Sequence, residues 1–180
     1  MRTPDRRPVA AVFALGGAAF FLLAGYEFVR GASTSLFIGA YGARQLPWVL
    51  ALSPLGTLAI VVAYGWVLTR LGSRRTLAVT TLASGLALAA CYVGIRSGVP
   101  LASGALYVLR EAYIVVLIEQ YWSYINSTLT TAQAKRFNGP IVGVASVGAM
   151  LGSYSLGHFA TALGTPQFVL LAAASALPAA

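Results

Sequence analysis

The sequence predicts an all-α, polytopic membrane protein. Of its 180 residues, 58% are hydrophobic and only 9% are charged, and the mean hydropathy is +0.79. So little polar surface does not suffice to cover a water-soluble globule of this size. Apolar stretches of about 20 residues, the length that crosses a bilayer, recur along the chain. The basic residues fall mainly in the short gaps between them, so the pattern indicates a bundle of spanning helices.

Six spans are predicted, in one transmembrane bundle that covers residues 1–180. Their approximate bounds are 9–41, 46–68, 76–95, 99–126, 141–163 and 168–180. We expect the first span to be interrupted near its Gly/Ser stretch at 31–35, and residues 42–45 to form a turn. The last apolar stretch is shorter than a crossing helix needs. The sixth span is therefore expected to be incomplete, either because the chain is a fragment or because that span is cut short.

The basic residues predict the orientation of this bundle. Those in the N-terminus and in the gaps after the second and fourth spans are Arg2, Arg6, Arg7, Arg70, Arg74, Arg75, Lys135 and Arg136. The opposite side has at most Arg44 and Arg96. Because Lys and Arg are retained on the cytoplasmic side during insertion, we expect a cytoplasmic N-terminus in the inner or plasma membrane. The net charge of +8 is thus a topology signal, and nucleic acid is not an expected partner.

Several classes of site are excluded by residue content. Cys91 is the single cysteine and His158 the single histidine, which excludes a disulfide scaffold and a Cys/His-rich metal site. No Gly-x-Ser-x-Gly motif occurs in the chain. We therefore predict no metal, no cofactor and no enzymatic activity.

Ionisable residues within the predicted spans are the candidate functional residues. The first span holds Glu27 and Arg30, and the fourth holds Arg110, Glu111 and Glu119. A charged side chain at the centre of a spanning helix costs about 2.5–3.5 kcal/mol on insertion scales, so each should face a cavity or a partner. The simplest packing places the first and fourth spans around a shared polar space. Further candidate solute contacts on the fourth span are the aromatic walls Tyr113 and Trp122, and Asn126 near its end.

The spacing of these charges predicts their pairing. Arg110 has no acid three or four residues away, and adjacent Glu111 does not face it on an ideal helix. Its expected counter-charge is therefore Glu27, although Glu27 also has Arg30 at three-residue spacing. Buried ion pairs that fix helix packing and bind no solute are the alternative to a binding site. In the fifth span, Gly148 and Gly152 form a small-xxx-small pattern that favours close helix packing.

The segment between the second and third spans resembles the signature loop of major facilitator superfamily transporters. It reads Gly-Trp-Val-Leu-Thr-Arg-Leu-Gly-Ser-Arg-Arg over residues 65–75. Gly65, Arg70, Gly72 and Arg74 match the family pattern by position, and Arg75 adds a basic residue, whereas Thr69 replaces an acid. The resemblance implies that this segment is a cytoplasmic gating loop.

A second resemblance covers most of residues 20–157. The segments 26–30, 41–48, 122–126 and 133–137 look like parts of the ATP/ADP translocase (nucleotide exchange) family and its bacterial relatives. In that family, basic residues of the first span and a glutamate of the fourth are implicated in substrate binding, which corresponds here to Arg30 and, within about a residue, Glu111. Ala32, Ser33 and Thr34 stand where the translocases have a further basic residue and an acid.

Together, the resemblances imply the N-terminal six-helix half of a major-facilitator-type transporter. We expect a secondary carrier or antiporter with alternating access, acting on a polar or charged solute such as a nucleotide or another organic anion. A second six-helix half, in the same or another chain, is the expected partner besides the lipid bilayer. The alternative is a membrane sensor or assembly module that retains the fold and transports nothing.

Overall fold

The computed structural model describes the backbone of residues 6–175, and the side chains in this range except at 6–11, 73–74, 77, 117, 120–121 and 123–128. Five α-helices follow one another: α1 Arg6–Tyr41, α2 Leu46–Arg96, α3 Pro100–Thr128, α4 Thr131–Leu163 and α5 Thr165–Ser175. A single 3-10 turn, Ala43–Gln45, joins α1 to α2, and residues 6–175 contain no strand. The all-α prediction is confirmed.

Helix α1 is continuous, so the predicted interruption at residues 31–35 is wrong. The hydroxyls of Ser33 and Thr34 donate hydrogen bonds of 3.1 and 3.2 Å to the carbonyl oxygen of Arg30, one turn earlier. Such back-bonding gives these side chains partners without breaking the helix. The helix ends instead at Gly42, whose φ of 81° suits glycine and stops α1.

Helix α2 contains both the second and the third predicted span, divided at Gly72. That residue has φ 72° and ψ 166°, a conformation that glycine adopts without strain. The Thr76 hydroxyl donates a 2.8 Å hydrogen bond to the Gly72 carbonyl just after the break. Both halves of α2 pack against α3, since a Cβ added at Gly56 or at Gly94 would overlap an α3 side chain. The chain therefore reverses at Gly72.

Helix α4 begins at Thr131, ten residues before the predicted start of the fifth span. A capping box explains this start: the Thr130 hydroxyl accepts the Gln133 amide N–H, and the Gln133 side chain accepts the Thr130 amide N–H at 3.0 Å. Lys135 and Arg136 consequently lie in the first turns of α4 rather than in a gap between helices.

The tightest helix contact joins α1 to α4, which run parallel. Gly148 and Gly152 of α4 lie against the carbonyl groups of Phe20 and Ala24 of α1, leaving no room for a Cβ at either glycine. The predicted packing role of these two glycines is confirmed, because small residues are what allows helix backbones to approach in lipid. Helix α1 also packs on α3 and α5 and is the central helix of the bundle.

Four stretches of the described residues are long and apolar enough to cross a membrane: Val12–Tyr41, Ala43–Gly72, Ala78–Arg96 and Thr131–Leu163. The first half of α2 is almost entirely unburied, and Trp48, Leu55, Leu58 and Trp66 are exposed along it. An apolar surface of this extent would aggregate in water but is suited to lipid. These features are those of a membrane protein.

Candidate functional site

A cavity of about 430 Å³ lies between α1, α3 and α4, and we call it the charged cavity. Its walls are Tyr26, Glu27, Arg30, Gly31, Thr34, Arg110, Glu111, Ser153 and Leu156. Four of the five predicted intramembrane charges line it, two from α1 and two from α3. The structure thus brings the charges of the first and fourth predicted spans together, with α4 supplying a third wall.

The charged cavity lies nearer to one end of the bundle, the end where α1 stops and α3 begins. Arg30 precedes the end of α1 by eleven residues, and Arg110 follows the start of α3 by ten. At a rise of 1.5 Å per residue, both lie roughly 15 Å from that end of the bundle.

Arg110 joins α3 to α1 through hydrogen bonds. Its side chain is buried, and its Nη1 donates to the Thr34 hydroxyl at 2.6 Å, the Arg30 carbonyl oxygen at 3.1 Å and the Ser33 hydroxyl at 3.2 Å. The guanidinium carbon also lies 3.8 Å from the centre of the Tyr107 ring, within cation–π distance. The three hydrogen bonds fix the position of the guanidinium relative to α1, whereas Tyr107 lies on α3 itself.

The predicted partner of Arg110 is wrong. Its Nε donates to Glu111 Oε1 at 2.8 Å, whereas Glu27 pairs with Arg30 at 2.9 Å. Consecutive residues of an α-helix point in directions about 100° apart. The arginine side chain is nevertheless long enough for its Nε to contact the Glu111 carboxylate. The three-residue spacing within α1 then makes Arg30 the nearest cation for Glu27, as the spacing also allowed.

The two ion pairs differ in which member faces open space. In the first pair the Arg30 side chain is 55% exposed and that of Glu27 16%. In the second pair the Glu111 side chain is 36% exposed and that of Arg110 9%. The accessible groups on the charged cavity are therefore a guanidinium from α1 and a carboxylate from α3.

Three of the four remaining predicted contact residues of α3, Glu119, Tyr113 and Trp122, do not line the charged cavity. Glu119 is exposed about two turns further along the helix. Tyr113 is buried against Leu22 of α1, and its hydroxyl has no hydrogen-bond partner. Trp122 borders a separate apolar cavity of about 230 Å³. The side chain of Asn126 lies outside the described residues.

Glu111 also borders a third cavity, of about 500 Å³, between α2 and α3. Its other walls are Leu50, Ser53, Pro54, Thr57, Leu58, Val61, Ile114 and Val115. We call it the aliphatic cavity after its predominant side chains. Glu111 is the residue shared by its lining and that of the charged cavity.

Four polar residues around Arg110 and the cavity, Tyr26 among them, were not predicted as contacts. Ser33 and Thr34 are hydrogen-bond acceptors for Arg110, and Ser153 supplies a hydroxyl from α4. A usable signal existed for the first two, because they follow Arg30 by three and four residues and therefore lie one turn from it. Ser153 had no such signal, since its place depends on the register of α4 against α1.

The segment that resembles a gating loop lies at the reversal within α2. Gly72 provides the turn, and the Arg70 guanidinium lies 4.0 Å from the centre of the Trp66 ring. Arg75 is exposed and Gly65 is half-buried, while the side chain of Arg74 lies outside the described residues.

Comparison with family models, curated proteins and solved structures gives no match for this chain.

Proposed function

We propose that the chain is a membrane carrier that moves a polar or charged solute by alternating access, with the charged cavity as its solute site. The observation that supports this proposal is the cavity itself: four ionisable side chains line it inside an apolar bundle, roughly 15 Å from one end. Ionised groups at that depth are costly unless they face water, a partner or a solute. Binding of a polar solute during transport accounts for both the cavity and the charged groups that line it.

In this proposal the bundle is the N-terminal half of a major-facilitator-type carrier related to the nucleotide exchangers. A second six-helix half, in the same or another chain, closes the charged cavity opposite α1 and α3. Arg30 and Glu111 bind the solute, because they are the accessible members of their pairs. The N-terminus and the reversal at Gly72 lie on the cytoplasmic side of the inner or plasma membrane.

Uptake into proteoliposomes tests the carrier proposal. The chain is reconstituted together with the second six-helix half that the proposal requires, and is offered labelled phosphate, ADP, dicarboxylates and amino acids, with and without the same solute inside the vesicles. We expect saturable uptake of at least one solute class, reduced to the level of protein-free vesicles by Glu111→Gln. Glu119→Gln is the matched control, because Glu119 lies on the same helix outside the charged cavity.

Two results of the uptake experiment contradict the proposal. One is uptake at the wild-type rate by a correctly inserted Glu111→Gln variant. That result would show that the charged cavity is not the solute site. The other is the absence of saturable uptake for every solute class in the panel.

A non-transporting sensor or assembly module is the second candidate function. The observation that favours it is that Arg110 is bonded through its Nε to Glu111 and through its Nη1 to acceptors on α1, so this charge has partners without a solute. In that case no solute of the panel is taken up into proteoliposomes, even if one of them raises the apparent unfolding temperature of the chain by binding to it. Saturable uptake that Glu111→Gln abolishes argues for the carrier instead.

A further inference from the structure

The accessible groups of the charged cavity carry opposite signs. Arg30 presents a guanidinium that is more than half exposed, and Glu111 presents a carboxylate that is about one-third exposed. Their partners, Glu27 and Arg110, are largely withdrawn from open space. A solute entering the cavity therefore meets one positive and one negative group.

Arg110 is bonded to both residues. Its Nη1 is bonded to the backbone carbonyl of Arg30, and its Nε is bonded to the carboxylate of Glu111. One buried guanidinium thus ties the backbone of the first accessible residue to the side chain of the second. Both residues line the same cavity of about 430 Å³, so one small solute can contact the guanidinium and the carboxylate together.

The charge of the whole cavity is balanced. Two arginines and two glutamates line it, so their formal charges cancel. A polyphosphate would bring several negative charges to a site that has one accessible cation and one accessible anion. A solute with one charge of each sign leaves the total unchanged, and it lets each accessible group form a charge-assisted hydrogen bond.

The surrounding space indicates the rest of the solute. The charged cavity, at about 430 Å³, is at the smaller end of the ~300–1,000 Å³ range of small-molecule pockets. Glu111 also lines the aliphatic cavity, whose walls include Leu50, Leu58 and Val61. An apolar group attached next to an ammonium on Glu111 is therefore close to aliphatic walls.

From these observations we infer that the charged cavity binds a zwitterion with an apolar side chain, an apolar α-amino acid being the simplest molecule of this class. Arg30 binds the carboxylate, Glu111 binds the ammonium group, and the aliphatic cavity receives the side chain. The inference rests on the proposed carrier function and specifies its substrate class.

Equilibrium binding to the chain in lipid nanodiscs tests the inference. The probe is radiolabelled L-leucine, and the competitors are isocaproate, which lacks the amino group, isoamylamine, which lacks the carboxylate, and ADP. We expect saturable leucine binding. Each singly charged analogue should compete about tenfold more weakly or worse, because it loses one charged hydrogen bond. Absence of saturable leucine binding, or competition by isocaproate or ADP equal to that by leucine itself, overturns the inference.

Two variants test which residue binds which charged group of the solute. The measured quantity is the preference for leucine over each analogue, rather than the affinity for leucine alone. Arg30→Gln should remove the preference for leucine over isoamylamine, and Arg30→Lys should restore it. Glu111→Gln should remove the preference for leucine over isocaproate. Arg96→Gln is the control, since Arg96 is exposed at the end of α2. Unchanged preferences in both cavity variants contradict the assignment even if total binding falls.

The binding and uptake experiments separate the two proposals. Leucine binding without uptake contradicts the carrier function and retains the zwitterion site. Uptake of phosphate or ADP without leucine binding supports the carrier function and overturns the zwitterion inference.

Discussion

Arg30 and Arg110 border the same cavity, and each has an acid close to it in sequence, yet their surroundings differ. Arg110 is buried, stacks on Tyr107 and donates hydrogen bonds across the helix interface. Arg30 pairs with Glu27 and is otherwise exposed. The comparison indicates that one arginine fixes the position of α3 against α1, whereas the other remains available to a solute. Counting charges in a sequence cannot separate these two roles.

The largest expected effect on stability belongs to Arg110. Replacing it by Gln leaves Glu111 without its cation and removes the hydrogen bonds to α1. We expect the free energy of unfolding to fall by about 3 kcal/mol, the lower part of the range for a broken buried pair, because Glu111 is partly exposed. Denaturing-detergent titration measures this loss. Arg30→Gln should cost about 0.5 kcal/mol or less, because Arg30 lies in an exposed ion pair. If it destabilises the chain as much as Arg110→Gln does, the difference in role between the two arginines is contradicted.

An intermediate effect is expected where α4 meets α1. A Cβ at Gly152 would lie 2.6 Å from the Ala24 carbonyl oxygen, whereas one at Gly157 meets nothing within 4 Å. Gly152→Ala should therefore be less stable than Gly157→Ala by about 1–3 kcal/mol, the usual cost of overpacking. Both variants gain the same helix propensity, so the difference in their unfolding free energies isolates the contact. Equal stabilities would contradict the close approach of the two backbones.

The smallest expected effect concerns the acceptors of Arg110. Thr34→Val removes the hydroxyl that accepts a 2.6 Å hydrogen bond from Arg110 and keeps the shape of the side chain. We expect a loss of about 1.5 kcal/mol, typical of a hydrogen bond to a charged group. Thr69→Val is the control, because its hydroxyl bonds only to the Trp66 carbonyl of its own helix. A cost that does not exceed the control would show that Arg110 does not depend on this acceptor.

Composition and apolar run length were sufficient to predict the helical fold and the helices that carry the charges. The partners of those charges were not predictable, because the choice between Glu27 and Glu111 depends on how the Arg110 side chain bends. The burial of Tyr113 depends on the rotation of α3 against Leu22, which periodicity does not determine. The early start of α4 was readable, since Thr130 and Gln133 have capping-box spacing.

The central claim, that water and solute reach the charged cavity inside the membrane, is tested most directly by thiol labelling. In a Cys91→Ala background, Ser153→Cys places a thiol in the cavity wall, and Ser155→Cys places one about 200° around the same helix, outside the cavity lining. A charged, membrane-impermeant methanethiosulfonate is supplied on both sides of proteoliposomes. We expect Ser153→Cys to react at least about tenfold faster, because only a hydrated thiol ionises and reacts readily. Equal rates, or an unreactive Ser153→Cys, would contradict the account.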